Sequence, residues 1–179
     1  PIFGSLAGYY TLTGYSGGPP GVTPMSGRMD LTSGTCLAFC VLAALEHRAR
    51  TGEGQFVDMA SWENMNCVFG DAYMDYFMNQ RSPTRVGNQD TYMAPHNCYR
   101  CKGEDKWVSI AIANDEEWQA FCQATGKPEW IADERFADTY SRWQNRLELD
   151  KLVTEWTVSH THFEVTEMLQ KVGVAAFPS

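Results

Sequence analysis

The chain has 179 residues, 44% of them apolar, with a formal charge of −8 and a pI near 4.9. That length fits one domain, or one domain plus part of another, and the acidic balance argues against a nucleic-acid or anionic-membrane partner. No apolar run reads as long enough to span a bilayer and no signal peptide opens the chain, so the cytoplasm is the default location.

The chain starts at Pro1-Ile2-Phe3-Gly4, without an initiator Met, and stops at Ala176-Phe177-Pro178-Ser179, just past an expected helix. Both ends read as cuts through a longer protein. Residues 1–29 are dense in glycine and proline, which predicts turns and close backbone approach. Within them, Leu6 to Tyr15 fits a short helix or a strand. Gly17-Gly18-Pro19-Pro20-Gly21 lacks the lysine and the spacing of a phosphate loop.

Asp30 stands where this loop gives way to a helix. An aspartate there can accept from the free amides of the first turn and gains from the helix dipole. It can equally be a nucleophile, because a carboxylate already ionised at neutral pH can attack an activated acyl group. From Leu31 to about Arg50, Leu37, Cys40, Val41, Ala44 and Leu45 recur at three- and four-residue steps. Phe39, Leu42 and Ala43 fill the other face, so this helix is expected to be buried nearly all round. His47, Arg48 and Arg50 suit its carboxyl end, and Gly52 is the expected left-handed stop.

Gln55–Ala60 reads as a strand, and Ser61 as the cap of a helix from Trp62 to about Met78. Asn79–Pro95 is polar and reads as a linker or functional loop. Asn97–Cys101 and Trp107–Ala113 form a predicted hairpin around Lys102–Lys106. Asn114 with Glu117 starts a helix that ends at Gly126, a longer helix fits Tyr140–Ser159, and Thr161 with Glu164 is a capping box for a helix stopping at Gly173. Cys98 and Cys101 form a lone CxxC with no second pair at finger spacing, which favours packed thiols over zinc. Cys36 and Cys40 read as small core residues.

Taken in order, these segments resemble the family III CoA-transferases of the formyl-CoA and carnitine type. The resemblance rests on Thr13-Gly14-Tyr15 with Gly18-Pro19-Pro20, then Gly27-Arg28-Met29-Asp30, then Leu42 to Arg48 and Thr51 to Asp58. Further signs are Arg85-Val86-Gly87-Asn88, Asn114 to Trp118, and Gly173-Val174. It implies an α/β fold: part of a Rossmann-like large domain at 1–78, a linker at 79–95 and a small α+β domain at 96–179, in an interlocked homodimer. It implies coenzyme A, carried as an acyl-CoA substrate, a small carboxylic acid as partner, and no metal. It makes Asp30 the catalytic nucleophile and assigns Arg28, Met29, Gly87, Asn88 and Gln89 to cofactor binding. Backbone amides in the first turn after Asp30 are then expected to stabilise the oxyanion. Formyl-CoA members carry a run of glycines where Gly87-Asn88-Gln89-Asp90 has one, which favours a different acyl acceptor. The fold also hosts α-methylacyl-CoA racemases, whose histidine partner upstream of the aspartate has no counterpart in 1–29. A non-catalytic dimerisation fragment is the remaining alternative.

Overall fold

The computed structural model describes residues 2–20 and 26–179, the side chains at 2, 3 and 26–28 excepted. Gly21 and Pro24 of the expected turn-rich loop therefore lie outside the described residues, as does the side chain of Arg28. The chain divides into two compact units, Pro1–Gly87 and Asn88–Ser179.

The first unit is helical. Short helices α1 (Ile2–Leu6) and α2 (Tyr9–Leu12) settle the choice left open at Leu6–Tyr15 in favour of helix. The long helix α3 (Ser26–Thr51) follows, then α4 (Ser61–Asn66) and α5 (Gly70–Asn79). Helix α3 ends at Gly52, whose φ of 79° lets its amide donate to the Arg48 carbonyl at 2.9 Å. Ala7, Met29, Met65 and Phe69 form a small core, with the Tyr9 ring 5.4 Å from that of Phe69.

Several expectations fail in this unit. Helix α3 is not buried all round: Leu31 is 73% exposed, Phe39 72% and Leu42 66%, because their faces find no packing partner within the unit. The expectation that no apolar run is long enough to span a bilayer is also corrected: Met29–Thr51 contains an 18-residue stretch of mean hydropathy 1.4, enough to cross a membrane by length and composition, as the core helix of a larger globular protein also is. Gln55–Ala60 runs in no helix or sheet, and Phe56 is 91% exposed. A strand exists only through its ladder, and among the described residues this segment has no neighbouring strand. The helix expected over Trp62–Met78 is broken by a 3-10 turn at Cys67–Phe69, where Phe69 turns into the small core. Ala60, not Ser61, is its N-cap residue.

The second unit builds a three-stranded antiparallel sheet in the order β1 (His96–Arg100), β2 (Trp107–Ala111), β3 (Ala175–Pro178). Tyr99 faces Val108, and Val108 faces Pro178. Helices α6 (Asp115–Ala124), α7 (Thr139–Gln144), α8 (Arg146–Thr157) and α9 (His162–Gln170) complete the unit. Val108, Ile112, Phe121, Phe136, Leu149, Val153, Val165 and Leu169 are wholly buried in one core with Tyr99 and Trp118. The hairpin forms, Asn114 accepts from the Glu117 amide, and Thr161 with Glu164 makes the reciprocal capping box. The helix expected over Tyr140–Ser159 is split at Asn145. Its side-chain amide donates to the Ser141 and Arg135 carbonyls, at 2.9 and 3.1 Å, and competes with helical pairing. Strand β3 was not expected, since the reading ended the chain just past a helix.

Arg142 is completely buried. It donates to the Ala94 carbonyl at 3.1 Å, to Asp115 at 2.6 Å and to Thr139 at 3.0 Å, and lies 5.3 Å over the Trp118 ring. Cys101 is buried, and burial, then the neighbouring Cys98, pushes its thiol up to about 11, which disfavours the thiolate a metal needs. Among the described residues no group of three or more metal-ligating side chains occurs. Cys36 and Cys40 are half-buried rather than core.

Candidate active site

Asp30 is the fifth residue of α3, one turn inside the helix rather than at its cap. The chain turns helical at Ser26, so the Asp30 amide and those after it have intrahelical acceptors. The oxyanion donors expected from the turn after Asp30 are therefore not available there, because their hydrogens point at carbonyls four residues back. The Asp30 side chain is exposed, and among the described residues no hydrogen bond or ion pair holds it. One turn on, Ser33 is buried, and its hydroxyl has no partner among the described residues.

The remaining predicted site residues are divided between the units. Met29 packs its side chain into the small core at 6% exposure, and a Cβ added to Gly4 would come within 2.5 Å of its terminal methyl. Within this unit the Met29 side chain is taken up by packing. Gly87 has φ of 64°, its amide donates to the Gly14 carbonyl at 2.9 Å, and an added Cβ would lie 2.5 Å from the Tyr15 ring. Its smallness is thus demanded by its own unit. Two residues earlier, Arg85 donates to the Gly18 carbonyl at 2.7 Å. The glycine-rich turn and the segment before Gly87 are laced together through these bonds.

Asn88 and Gln89 belong to the second unit. The Asn88 carbonyl meets His96 Nδ1 at 2.7 Å. The Gln89 side chain donates to Asp150 at 3.3 Å and accepts from Arg146 at 3.2 Å. Asp150 also accepts from Tyr99 at 2.5 Å and Asn97 at 3.0 Å, a cluster that the sequence reading did not find. Burial, then the Asp150 charge, pushes the Tyr99 phenol well above its ordinary range, so it stays a donor. Asp90 accepts from the amides of Tyr92 and Met93 at 2.7 and 3.0 Å. Burial opposes ionisation of Asp90, but those amides and His96 outweigh it and hold its pKa below the usual value.

With this geometry in place, comparison with known proteins is decisive about ancestry. Residues 1–178 match the sequence profile of CoA-transferase family III. The chain belongs to that family. It is 34% identical over 167 residues to the succinyl-CoA:mesaconate CoA-transferase of Haloarcula hispanica, covering 93% of this chain and 41% of the relative. It is 31% identical over 172 residues to the succinyl-CoA–D-citramalate CoA-transferase of Chloroflexus aurantiacus, covering 96% of this chain and 42% of the relative. A solved CAIB/BAIF family protein from Brucella suis superposes with a TM-score of 0.86 at 31% identity, over 99% of this chain and 46% of that one. The family III chain described here therefore shares their mixed α/β fold and spans less than half the length of these relatives.

Proposed function

We propose that the full-length protein moves coenzyme A between an acyl-CoA thioester and a small dicarboxylic acid, with Asp30 as the covalent nucleophile. The observation that carries the reading is a family III match across residues 1–178 that includes an aspartate whose carboxylate is exposed and unpaired among the described residues. The relatives named for succinyl, mesaconate and citramalate transfer supply the dicarboxylate class.

An Asp30 oxygen attacks the thioester carbonyl; a C–O bond forms, the C–S bond breaks, and CoA thiolate leaves. The thiolate then attacks the aspartyl carbonyl of the mixed anhydride, releasing the donor acid as carboxylate and leaving an aspartyl-CoA thioester. An acceptor carboxylate runs the same two steps in reverse and restores Asp30. The donors for each oxyanion lie outside the helical turn that follows Asp30. Water must be kept from the anhydride. The cations for the CoA phosphates are assigned to the rest of the protein, and the active form to a cytoplasmic homodimer.

Incubation of the full-length protein with succinyl-CoA, followed by borohydride or hydroxylamine trapping and peptide mass spectrometry, tests this. Modification confined to the peptide carrying Asp30, and cleared by an acceptor acid, is expected. Asp30→Asn is expected to lower transfer by about 10³-fold or more while the fold persists. Exchange of an α-proton with solvent, without any Asp30 adduct, would instead establish a racemase.

A further inference from the structure

Most arginines whose contacts are resolved in this chain meet a carboxylate. Arg50 pairs with Glu46 at 2.6 Å, Arg81 with Asp75 at 2.7 Å, Arg135 with Asp133 at 2.6 Å, and buried Arg142 with Asp115 at 2.6 Å. Arg146, on Gln89 and the Trp143 carbonyl, does not meet one, and neither does Arg85. Arg85 is half-buried, and one terminal nitrogen donates to the Gly18 carbonyl at 2.7 Å. Among the described residues no carboxylate lies in ion-pair range of it, in a chain with 22 acidic side chains. A neutral carbonyl fixes the direction of the guanidinium without cancelling its charge. The fork keeps further donors for a planar anion.

Arg85 also lines a cavity of the first unit. With Thr11, Ser16, Gly17, Pro83 and Thr84 it bounds this cavity of about 320 Å³; the Thr11 hydroxyl already donates to the Gly8 carbonyl, and Ser16 and Thr84 are the other hydroxyl residues of the lining. A second cavity, of about 200 Å³, shares Thr11 and Pro83 with the first and is walled by Leu12, Phe69, Ala72 and Tyr76. Both lie within the first unit. A largely apolar pocket thus neighbours a cationic one across Thr11 and Pro83. In transfer to or from a dicarboxylic acid only one carboxyl group reacts. The other stays ionised and, once removed from water, requires a cation and hydrogen-bond donors.

We propose that Arg85 is a specificity residue that receives the non-reacting carboxylate of a dicarboxylic substrate, whose carbon skeleton extends towards the apolar pocket. The proposal rests on the dicarboxylate reading of the function above. An anion at this place could also be a phosphate of coenzyme A, and the test separates the two sources.

The KM of the full-length enzyme is measured for succinate and for butyrate, which has the same carbon count but one carboxylate, in wild type, Arg85→Ala and Arg85→Lys. Arg85→Ala is expected to raise the KM for succinate at least about tenfold and to leave that for butyrate within about twofold, with Arg85→Lys between. Equal losses for both acids would make Arg85 merely an anchor for the Gly18 turn, and overturn the proposal. A raised KM for every acyl-CoA regardless of acyl group would assign the site to a CoA phosphate, and also overturn it. Binding of succinate and butyrate without thioester, followed by NMR titration, judges Arg85 even if the wild type transfers nothing. Selective loss of succinate binding in Arg85→Ala supports the site; succinate binding that is absent from wild type or unchanged in the variant overturns it.

Discussion

In the unit Asn88–Ser179, Val108, Phe121, Phe136, Leu149 and Leu169 are at 0% exposure, and helices cover one face of a small sheet. In Pro1–Gly87 the longest helix holds Phe39 at 72% and Leu42 at 66% exposure, over a core of four buried residues among those described. The contrast is one of closure. The second unit closes a large core with its own elements, though Leu147, Phe163 and Phe177 stay exposed, whereas the first leaves Leu31, Phe39 and Leu42 of its long helix uncovered. A chain that spans 41–46% of its relatives' length has room for cover to come from elsewhere in the protein.

The contrast predicts unequal responses to mutation. Phe136→Ala is expected to destabilise the second unit by about 3–5 kcal/mol, because it empties a wholly buried site against Trp118. Phe39→Ala in this same 179-residue chain is expected to stay within about 0.5 kcal/mol and to reduce self-association. Urea unfolding of both variants checks the pair, and a large loss for Phe39→Ala would show that helix α3 is covered after all.

A smaller effect sharpens the account of the second unit. Asp115→Ala strands the buried Arg142 guanidinium and should cost about 2 kcal/mol near neutral pH. The hydrogen bond from Arg142, then that from Thr139, holds the Asp115 carboxyl below its ordinary value of 3.8. A depressed folded-state pKa contributes stability that is complete above the ordinary value and is lost as pH falls below it. The gap between wild type and Asp115→Ala should therefore be constant from pH 7 to about 5 and narrow below about pH 4. Smallest within the second unit is Tyr99→Phe, expected to cost about 1 kcal/mol, since Asp150 keeps Asn97 and Gln89 as donors. A loss of several kcal/mol there would mean that the Asp150 cluster acts as one cooperative unit.

What was legible in the sequence follows the range of the forces involved. Gly52, Gly126 and Gly173 as helix stops and Thr161 with Glu164 as a cap are encoded within a few residues, and each forms as read. The Ala175–Pro178 strand depends on Val108 to Ala111, far back in the chain, and four residues ending in proline carry no alternation to announce it. Gln55–Ala60 has strand composition but no ladder partner among the described residues, so composition alone misled. Asn145 looks like one more polar residue in a helical run until its amide reaches Arg135. At the candidate site, Asp30 was found through its loop and family motif, whereas its depth inside the helix depends on where Ser26 begins the winding. Gly87 was flagged for a cofactor, yet its backbone angle and the Tyr15 ring already account for it. Arg85 entered only as part of a motif, because its bond to the Gly18 carbonyl and the cavity it lines are three-dimensional facts.

The stretch from Asn88 to Pro95 reads as a linker, but its polar groups are held by His96, Asp150, Arg146, Trp143, Arg142 and Ile112. Its conformational entropy is therefore surrendered when the second unit folds, not when a substrate arrives. A ligand that reaches Asn88 or Gln89 meets a surface already in its final shape, and the free energy of that contact goes into affinity rather than into ordering the chain.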